Sequence, residues 1–163
     1  LPGDAMMPAQ HLDHSTLLRS LLAILLLTTF LATSIARAEQ KAVYGDYEIH
    51  YMAIPSTFLQ PEIASTHDIN RSRSTGVLNI AVQQRQADGT TRAVPAFVRG
   101  SISNDVQQRR ELEFTQVTEG QAVYAIAPFW YSSGQTYVFQ LEVQADPEQG
   151  PFPLRFSQAM YAE

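Results

Sequence analysis

The chain of 163 residues contains no cysteine and a single lysine. Without thiols it cannot form disulfides, carry out thiol chemistry or bind zinc through cysteine, so its stability has to come from a packed core. Acidic residues outnumber basic ones by sixteen to eleven, and the net charge is −5 at pH 7. Because binding to phosphate groups depends on Lys and Arg, this balance argues against a nucleic-acid partner and against an anionic membrane surface.

One long apolar run, residues 21–31, lies near the start of the chain. Arg19 precedes it, and small residues follow it at 36–38 in the order of an A-x-A cleavage site. A spanning helix needs about 20 apolar residues, whereas a positive residue, a short apolar core and a small-residue exit are typical of a secretory signal. We therefore predict that residues 1–38 are a signal peptide with a few residues upstream of it, and that no membrane span remains after cleavage.

The rest of the chain, residues 39–163, has the length of one domain. It holds all seven Tyr, the single Trp and seven of the eight Phe, a composition that suits a packed β domain and argues against disorder. It contains neither a Gly-rich phosphate loop nor a G-x-S-x-G motif, so nucleotide binding and serine hydrolysis are not indicated. We predict no cofactor and assign no catalytic residue.

Short stretches of alternating apolar and polar residues run through this domain. Period two indicates half-buried strands, and turn signals such as Asp88-Gly89 separate the stretches. The predicted strands cover residues 43–53, 78–83, 93–99, 111–115, 122–131, 137–144 and 154–160. About seven strands with almost no helical periodicity predict an all-β fold, an antiparallel two-sheet sandwich of immunoglobulin-like type. A small closed barrel is the alternative.

The segment 54–76 joins the first two predicted strands and is much longer than a usual connection. A proline followed by an acidic residue suits the first turn of a helix, so we predict one short helix over Pro61–His67. The apolar residues Phe58, Leu59 and Ile63 favour a packed crossover between the two sheets. The alternative is that the same residues stay exposed as a docking site.

Several segments between about Tyr44 and Tyr161 carry a family resemblance. They are Tyr47-Glu48-Ile49-His50-Tyr51, Ser56-Thr57-Phe58-Leu59-Gln60-Pro61-Glu62, Ile69-Asn70-Arg71-Ser72, Gly76-Val77-Leu78-Asn79-Ile80, Glu111–Phe114, Tyr124–Phe129 and Leu154–Gln158. The chain resembles the family known as domain of unknown function 4426, and its Thr-Phe-Leu-Gln-Pro stretch is the most specific part. The resemblance implies a small exported protein of Gram-negative bacteria, located in the periplasm, with no established activity. It marks as characteristic the positions Phe58, Leu59, Gln60, Pro61, Arg71 and Ser72.

Asp46, Glu48 and His50 occupy alternate positions, so they share one face of a strand. Together with His67 in the long segment, they are candidate ligands of a divalent metal, or the acid and base of an enzyme. A solvated strand face accounts for the same pattern, because such a face supplies no concave pocket. We favour the solvated face.

Trp130 lies between two aromatic neighbours and points to the opposite side of the strand from both. One side of this cluster is therefore core, and the other is a candidate recognition patch. The guanidinium of Arg71 suits either a bound carboxylate or the carbonyl groups of its own loop. We favour the loop.

These features favour a periplasmic binding or accessory protein without catalytic activity, which binds a periplasmic or envelope protein through a loop or a sheet edge. The candidate partner or ligand surface consists of Phe58, Leu59, Gln60, Pro61, Arg71 and Trp130. The alternative is a metal-dependent or acid–base enzyme that uses Asp46, Glu48, His50 and His67. Convergence of those four side chains in a pocket would favour the enzyme, and an exposed apolar patch would favour binding.

Overall fold

The computed structural model describes residues 40–162, and the predicted signal peptide lies outside the described residues. The elements in chain order are β1 (Lys41–Tyr44), β2 (Tyr47–Pro55), a 3-10 turn (Ser56–Phe58), α1 (Pro61–Thr66), β3 (Thr75–Arg85), β4 (Thr91–Val94), β5 (Phe97–Ser103), β6 (Arg109–Glu111), β7 (Thr115–Glu119), β8 (Ala122–Trp130), β9 (Gln135–Gln144) and β10 (Phe152–Met160). Within the described part of the chain, no helix has the length and apolar character needed to cross a bilayer.

The ten strands form two antiparallel sheets. In the larger one, sheet A, the order is β1-β2-β3-β8-β7, and β4 pairs with the second half of β3. In the smaller one, sheet B, the order is β10-β9-β5-β6. The predicted all-β fold with two antiparallel sheets is confirmed, and the barrel alternative is wrong.

Ten strands occur instead of about seven because three of the predicted strands are interrupted. Gly45, at φ +58°, turns the chain back on itself and separates β1 from β2. Pro95 has no N–H to donate to a ladder, and it lies where the chain passes from β4 in sheet A to β5 in sheet B. The predicted strand 111–115 is divided in the same way between β6 and β7, which belong to different sheets.

The main hydrophobic core lies between the two sheets. The alternation predicted for β9 is correct, because Tyr137, Phe139 and every second residue after them are buried. The Phe139 ring stacks on Phe156 with ring centroids 4.7 Å apart, and it meets Phe129 of sheet A edge-on at 5.3 Å. Aromatic pairs of this kind add about 0.5–1.5 kcal/mol to the free energy gained by burial.

The long segment, residues 56–74, does not cross between the sheets. The strands that it joins, β2 and β3, are antiparallel neighbours in sheet A, so the predicted crossover is wrong. The segment instead folds over the outer face of sheet A. There a second, smaller hydrophobic cluster forms from Ala64, Ile69, Val77, Val117 and Ile126.

The predicted short helix is confirmed to within one residue. α1 begins at Pro61, which occupies the first turn, and Glu62 follows it as the acidic residue of that turn. The side chain of Ala64 is the part of α1 that is buried, against the smaller cluster. Because Ala64 is the one residue of α1 that is buried, the helix covers part of sheet A without forming a third layer of the fold.

Candidate functional site: an apolar pocket on sheet A

A cavity of about 180 Å³ lies on the outer face of sheet A. Its floor consists of side chains from three adjacent strands, β2, β3 and β8, because alternate residues of a strand point to the same face. The residues of the floor are Met52, Ile54, Val77, Asn79, Tyr124 and Ile126. The strand register aligns Met52, Asn79 and Ile126 across the sheet, so Asn79 lies in the middle of the floor.

The roof of the cavity comes from the long segment. Its residues are Leu59, Ile63, His67 and Ile69. Leu59 is half-buried and packs on the smaller cluster, whereas Phe58 is 56% exposed. The expectation that Phe58 is packed down is therefore wrong. Of the two adjacent apolar residues, one anchors the segment and the other is presented to solvent.

Two polar side chains fix the roof in place. The Ser56 side chain is fully buried. Its hydroxyl donates a hydrogen bond to the carbonyl oxygen of Asn70 at 3.0 Å. The same oxygen, Oγ, accepts a hydrogen bond from the Ser72 N–H, also at 3.0 Å. The Arg71 guanidinium donates to the carbonyl oxygen of Thr57 at 2.9 Å. The interpretation of Arg71 as a residue that bonds loop carbonyls is thus confirmed.

Three polar side chains interrupt the apolar lining. The Asn79 Oδ1 is shielded from solvent, and none of the described residues donates a hydrogen bond to it. The His67 Nε2 is shielded as well, and it lies 3.7 Å from the Glu119 carboxylate. Burial, reinforced by the adjacent Glu119 carboxylate, raises the pKa of Tyr124 to about 12. At neutral pH the Tyr124 hydroxyl therefore keeps its proton.

The predicted metal ligands do not converge. Asp46 belongs to the turn before β2 and not to the strand itself, while His67 lies in the pocket beside Glu119. The His50 Nε2 is 3.9 Å from a Glu48 oxygen. Within residues 40–162, no three His, Cys, Asp or Glu side chains are grouped so as to hold a metal ion.

Glu48 takes part in a charge network on the outer face of β2. Its carboxylate lies 2.5 Å from the Arg85 guanidinium and 3.4 Å from the Lys41 ammonium. The hydrogen bond from Arg85 is the largest of the effects that hold the pKa of Glu48 below its usual value. The outer face of β2 is therefore partly covered: the Glu48 side chain is only 12% exposed, and Met52 and Ile54 further along the same face line the pocket.

Trp130 does not line the apolar pocket. It is 54% exposed, whereas Phe129 and Tyr131 are buried, as the alternation predicted. The Arg110 guanidinium carbon lies 5.7 Å from the Trp130 ring centroid, and the same guanidinium donates to the Trp130 carbonyl at 2.7 Å. The indole borders a separate depression with Asn104, Gln108, Arg110 and Tyr137.

A broader depression, of about 510 Å³, is lined largely by charged and polar residues of sheet B. Arg99 pairs with Glu142 at 2.5 Å. Arg109 lies 3.4 Å from Glu111. Because these ion pairs are exposed to solvent, they contribute little to stability.

The pocket on sheet A was also missed from the sequence. Met52, Asn79 and Tyr124 occupy positions that alternation assigns to the side opposite the core. The sequence does contain one indication of the pocket: Val77 and Ile126, which also point away from the core, are apolar. Strands that are apolar on both faces have to be covered on both faces.

Residues 41–163 match the family described as Domain of unknown function (DUF4426). The chain is similar to a DUF4426 family protein of Pseudomonas aeruginosa, with a TM-score of 0.67 and 30% sequence identity over 78% of this chain and 98% of that one. No curated protein matches the sequence significantly.

Two further solved structures share the fold at low sequence identity. FetP of uropathogenic Escherichia coli has a TM-score of 0.55 and 11% identity, over 77% of this chain and 95% of FetP. A copper-bound variant of FetP has a TM-score of 0.54 and 12% identity, over 74% of this chain and 93% of the variant. The match over residues 41–163, together with the 30% identity to the Pseudomonas aeruginosa protein, shows that the chain belongs to the DUF4426 family.

Proposed function

We propose that this protein is a binding or accessory protein without catalytic activity, and that its binding site is the apolar pocket beneath residues 56–74. The observation that carries the proposal is the construction of the roof. Ser56 and Arg71 hold the segment in one conformation, yet the segment leaves a cavity of about 180 Å³ beneath it. A fixed cover over open apolar space is what a preformed ligand site requires.

The rim of the pocket supports the proposal. Met52 and Ile63, which line the cavity, are 47% and 38% exposed, and Phe58, the chain neighbour of the lining residue Leu59, is 56% exposed. Full burial of such a side chain is worth about 1.5–3 kcal/mol relative to exposure. Aromatic residues and Met are enriched in protein interfaces. Binding of a partner that covers this rim is therefore favoured, because it buries apolar side chains that are exposed to water in the isolated protein.

An acid–base enzyme is supported less well. Its four candidate residues are divided between the turn before β2, β2 itself and the pocket, and Asp46 and Glu48 lie outside the cavity lining. Tyr124 does line the cavity, but its pKa of about 12 is far from the neutral value that suits a general acid or base. The histidine of the pocket, His67, lies 3.7 Å from the Glu119 carboxylate and is separated from Asp46, Glu48 and His50, which do not line the cavity.

We also propose that the protein is exported to the periplasm through the signal peptide at residues 1–38. The order of a positive residue, a short apolar core and small residues supports this location. FetP, which shares the fold, has been expressed recombinantly in the periplasm of Escherichia coli.

Affinity capture with matched variants tests the binding function. The protein is purified from the periplasm of an expression host, immobilised and exposed to a Gram-negative envelope extract. A partner of the pocket is retained by the wild type and lost with Phe58→Asp. The control is Phe97→Asp, because Phe97 is 69% exposed but belongs to sheet B. Equal retention by both variants contradicts the proposed site.

A further inference from the structure

We infer that the pocket on sheet A binds an aromatic ring that carries a hydrogen-bond donor, such as a phenol or an indole. The inference rests on the proposed function, and it specifies the chemistry of the ligand. Three properties of the cavity carry it: its volume, the type of side chain that lines it, and the unpartnered amide oxygen of Asn79 in its floor.

The volume limits the ligand to one ring system. An engineered apolar cavity of about 150 Å³ takes up a single benzene, and the cavity here measures about 180 Å³. Sites for whole drug-sized molecules are larger, at about 300–1,000 Å³. A ring with one or two substituents fills the pocket, and a longer ligand has to extend beyond it.

The lining favours an aromatic ring over an aliphatic group. Most of the wall consists of branched aliphatic side chains, which pack against either kind of ligand: Ile54, Leu59, Ile63, Ile69, Val77 and Ile126. Two further lining residues add a specific preference. The Met52 thioether makes favourable contacts with aromatic rings, and the Tyr124 ring favours edge-to-face or offset partners.

An unpartnered acceptor in the floor of the pocket favours a ligand that carries a hydrogen-bond donor. The Asn79 Oδ1 is shielded from solvent and receives no hydrogen bond from the described residues, and Met52 and Ile126 flank it across the sheet. A buried acceptor without a partner is unfavourable. Because the oxygen is shielded in the empty pocket, the Asn79 amide has to turn towards the cavity for a ligand O–H or N–H to reach it, and that hydrogen bond removes the penalty. A ligand of the same shape without a donor leaves the penalty in place, and a site of this kind discriminates against it.

The side chain of Tyr124 does not replace the ligand in this role. Its hydroxyl lies beside the Glu119 carboxylate, which is one of the causes of its raised pKa. His67 also faces Glu119, at 3.7 Å. Tyr124 in the floor and His67 in the roof thus both lie near the Glu119 carboxylate, whereas Asn79 in the floor has no such partner among the described residues.

Three small probes of matched shape test the inference. The protein purified from the periplasm is titrated with p-cresol, toluene and 4-methylanisole, and dissociation constants are measured by amide NMR. All three probes carry a methyl-substituted ring, but only p-cresol has a donor. One net hydrogen bond corresponds to about a two- to tenfold difference in affinity. We therefore expect p-cresol to bind several-fold more tightly than either of the others, with shifts at Met52 and Tyr124.

Two variants test whether Asn79 causes the preference for p-cresol over toluene. Asn79→Leu keeps the size of the side chain and removes the acceptor, so toluene and p-cresol should bind equally. Gln83→Leu is the control, because Gln83 lies on the same strand and face but outside the cavity. This variant should keep the wild-type preference.

The possible failures are distinguishable. If the wild type binds toluene and p-cresol with equal affinity, the donor inference is overturned and the pocket remains a binding site. If none of the probes binds, the pocket itself is refuted as a ligand site, and the proposed function fails with the inference. If Asn79→Leu does not fold, the comparison of p-cresol with 4-methylanisole on the wild type decides the question alone.

Discussion

The side chain of Ser56 closes the long segment of sheet A onto the backbone of Ser72, through a hydrogen bond of 3.0 Å from the Ser72 N–H to the Ser56 Oγ. Ser56 follows the last residue of β2, and Ser72 lies shortly before β3. One buried hydroxyl thus fixes both ends of the roof over the pocket, although its partners lie 14 and 16 residues further along the chain.

Ser56→Ala should lower the free energy of unfolding by about 1–3 kcal/mol, because the Ser72 N–H loses its buried acceptor. Hydrogen exchange over residues 56–74 should accelerate at the same time. The control is Ser65→Ala in α1, since Ser65 is exposed and bonds only within its own helix; it should change stability by no more than about 0.5 kcal/mol. Urea denaturation measures both variants. Equal losses would contradict the role of Ser56.

Gly76→Ala should destabilise the protein by about 1–3 kcal/mol through overpacking. A Cβ at this position would collide with the Phe129 ring, which lies over Gly76 from the adjacent strand. Gly150→Ala is the control, because nothing lies near the corresponding Cβ. Thermal or urea unfolding compares the two, and a neutral Gly76→Ala would contradict the packing described for Phe129.

Phe139→Ala should cost about 3–5 kcal/mol, the usual effect of emptying a buried aromatic site. The Phe139 side chain is fully buried between Phe129 and Phe156. Gln140→Ala, one residue along β9 and exposed, should cost about 0.5 kcal/mol or less. Urea melts of the two variants report the register of β9, and similar losses would show that the inward and outward faces are misassigned.

Tyr124 should make stability depend on pH in the alkaline range. Its pKa is raised from 10.0 to about 12 in the folded protein, so the folded state keeps a proton that the unfolded chain loses. The free energy of unfolding of the wild type should therefore fall relative to Tyr124→Phe as the pH rises from about 10 to 12. Below pH 10 the difference between the two proteins should be constant. Parallel curves up to pH 12 would show that the Tyr124 hydroxyl is not shielded.

The signal peptide prediction is tested by Ala38→Phe. The A-x-A site accepts only small side chains, so this variant should keep its N-terminal segment, whereas the wild type should begin at Glu39. Intact-mass measurement of the protein from the periplasmic fraction distinguishes the two. A wild-type mass that includes residues 21–31 would refute cleavage.

Local patterns in the sequence predicted the parts of the fold that depend on nearest neighbours. The faces of β9 follow from strict alternation, and α1 follows from the proline and acidic residue at its start. The turn at Gly45 was missed, because it lies inside a run that is apolar at alternate positions on both sides. The change of sheet at Pro95 was missed as well, since alternation specifies which face is buried but not which sheet a strand joins.

The pocket depends on contacts that no local pattern contains. Met52, Asn79 and Ile126 meet because β2, β3 and β8 are neighbours, although they come from distant parts of the chain. Asn79 is a polar residue between Leu78 and Ile80, a position for which alternation alone predicts a solvent-facing side chain. Only the position of the long segment above it shows that its side chain lies in the floor of a cavity.

The smaller hydrophobic cluster and the sandwich core have no residue in common among the described residues, since sheet A stands between them. Substitutions within residues 56–74 therefore alter the shape of the cavity without disturbing the packing between the sheets. The roof also carries the positions that are most characteristic of the family, among them Phe58–Pro61, Arg71 and Ser72. Members of the family should therefore keep the conformation of this segment even where the residues of the sandwich core are exchanged for other apolar ones.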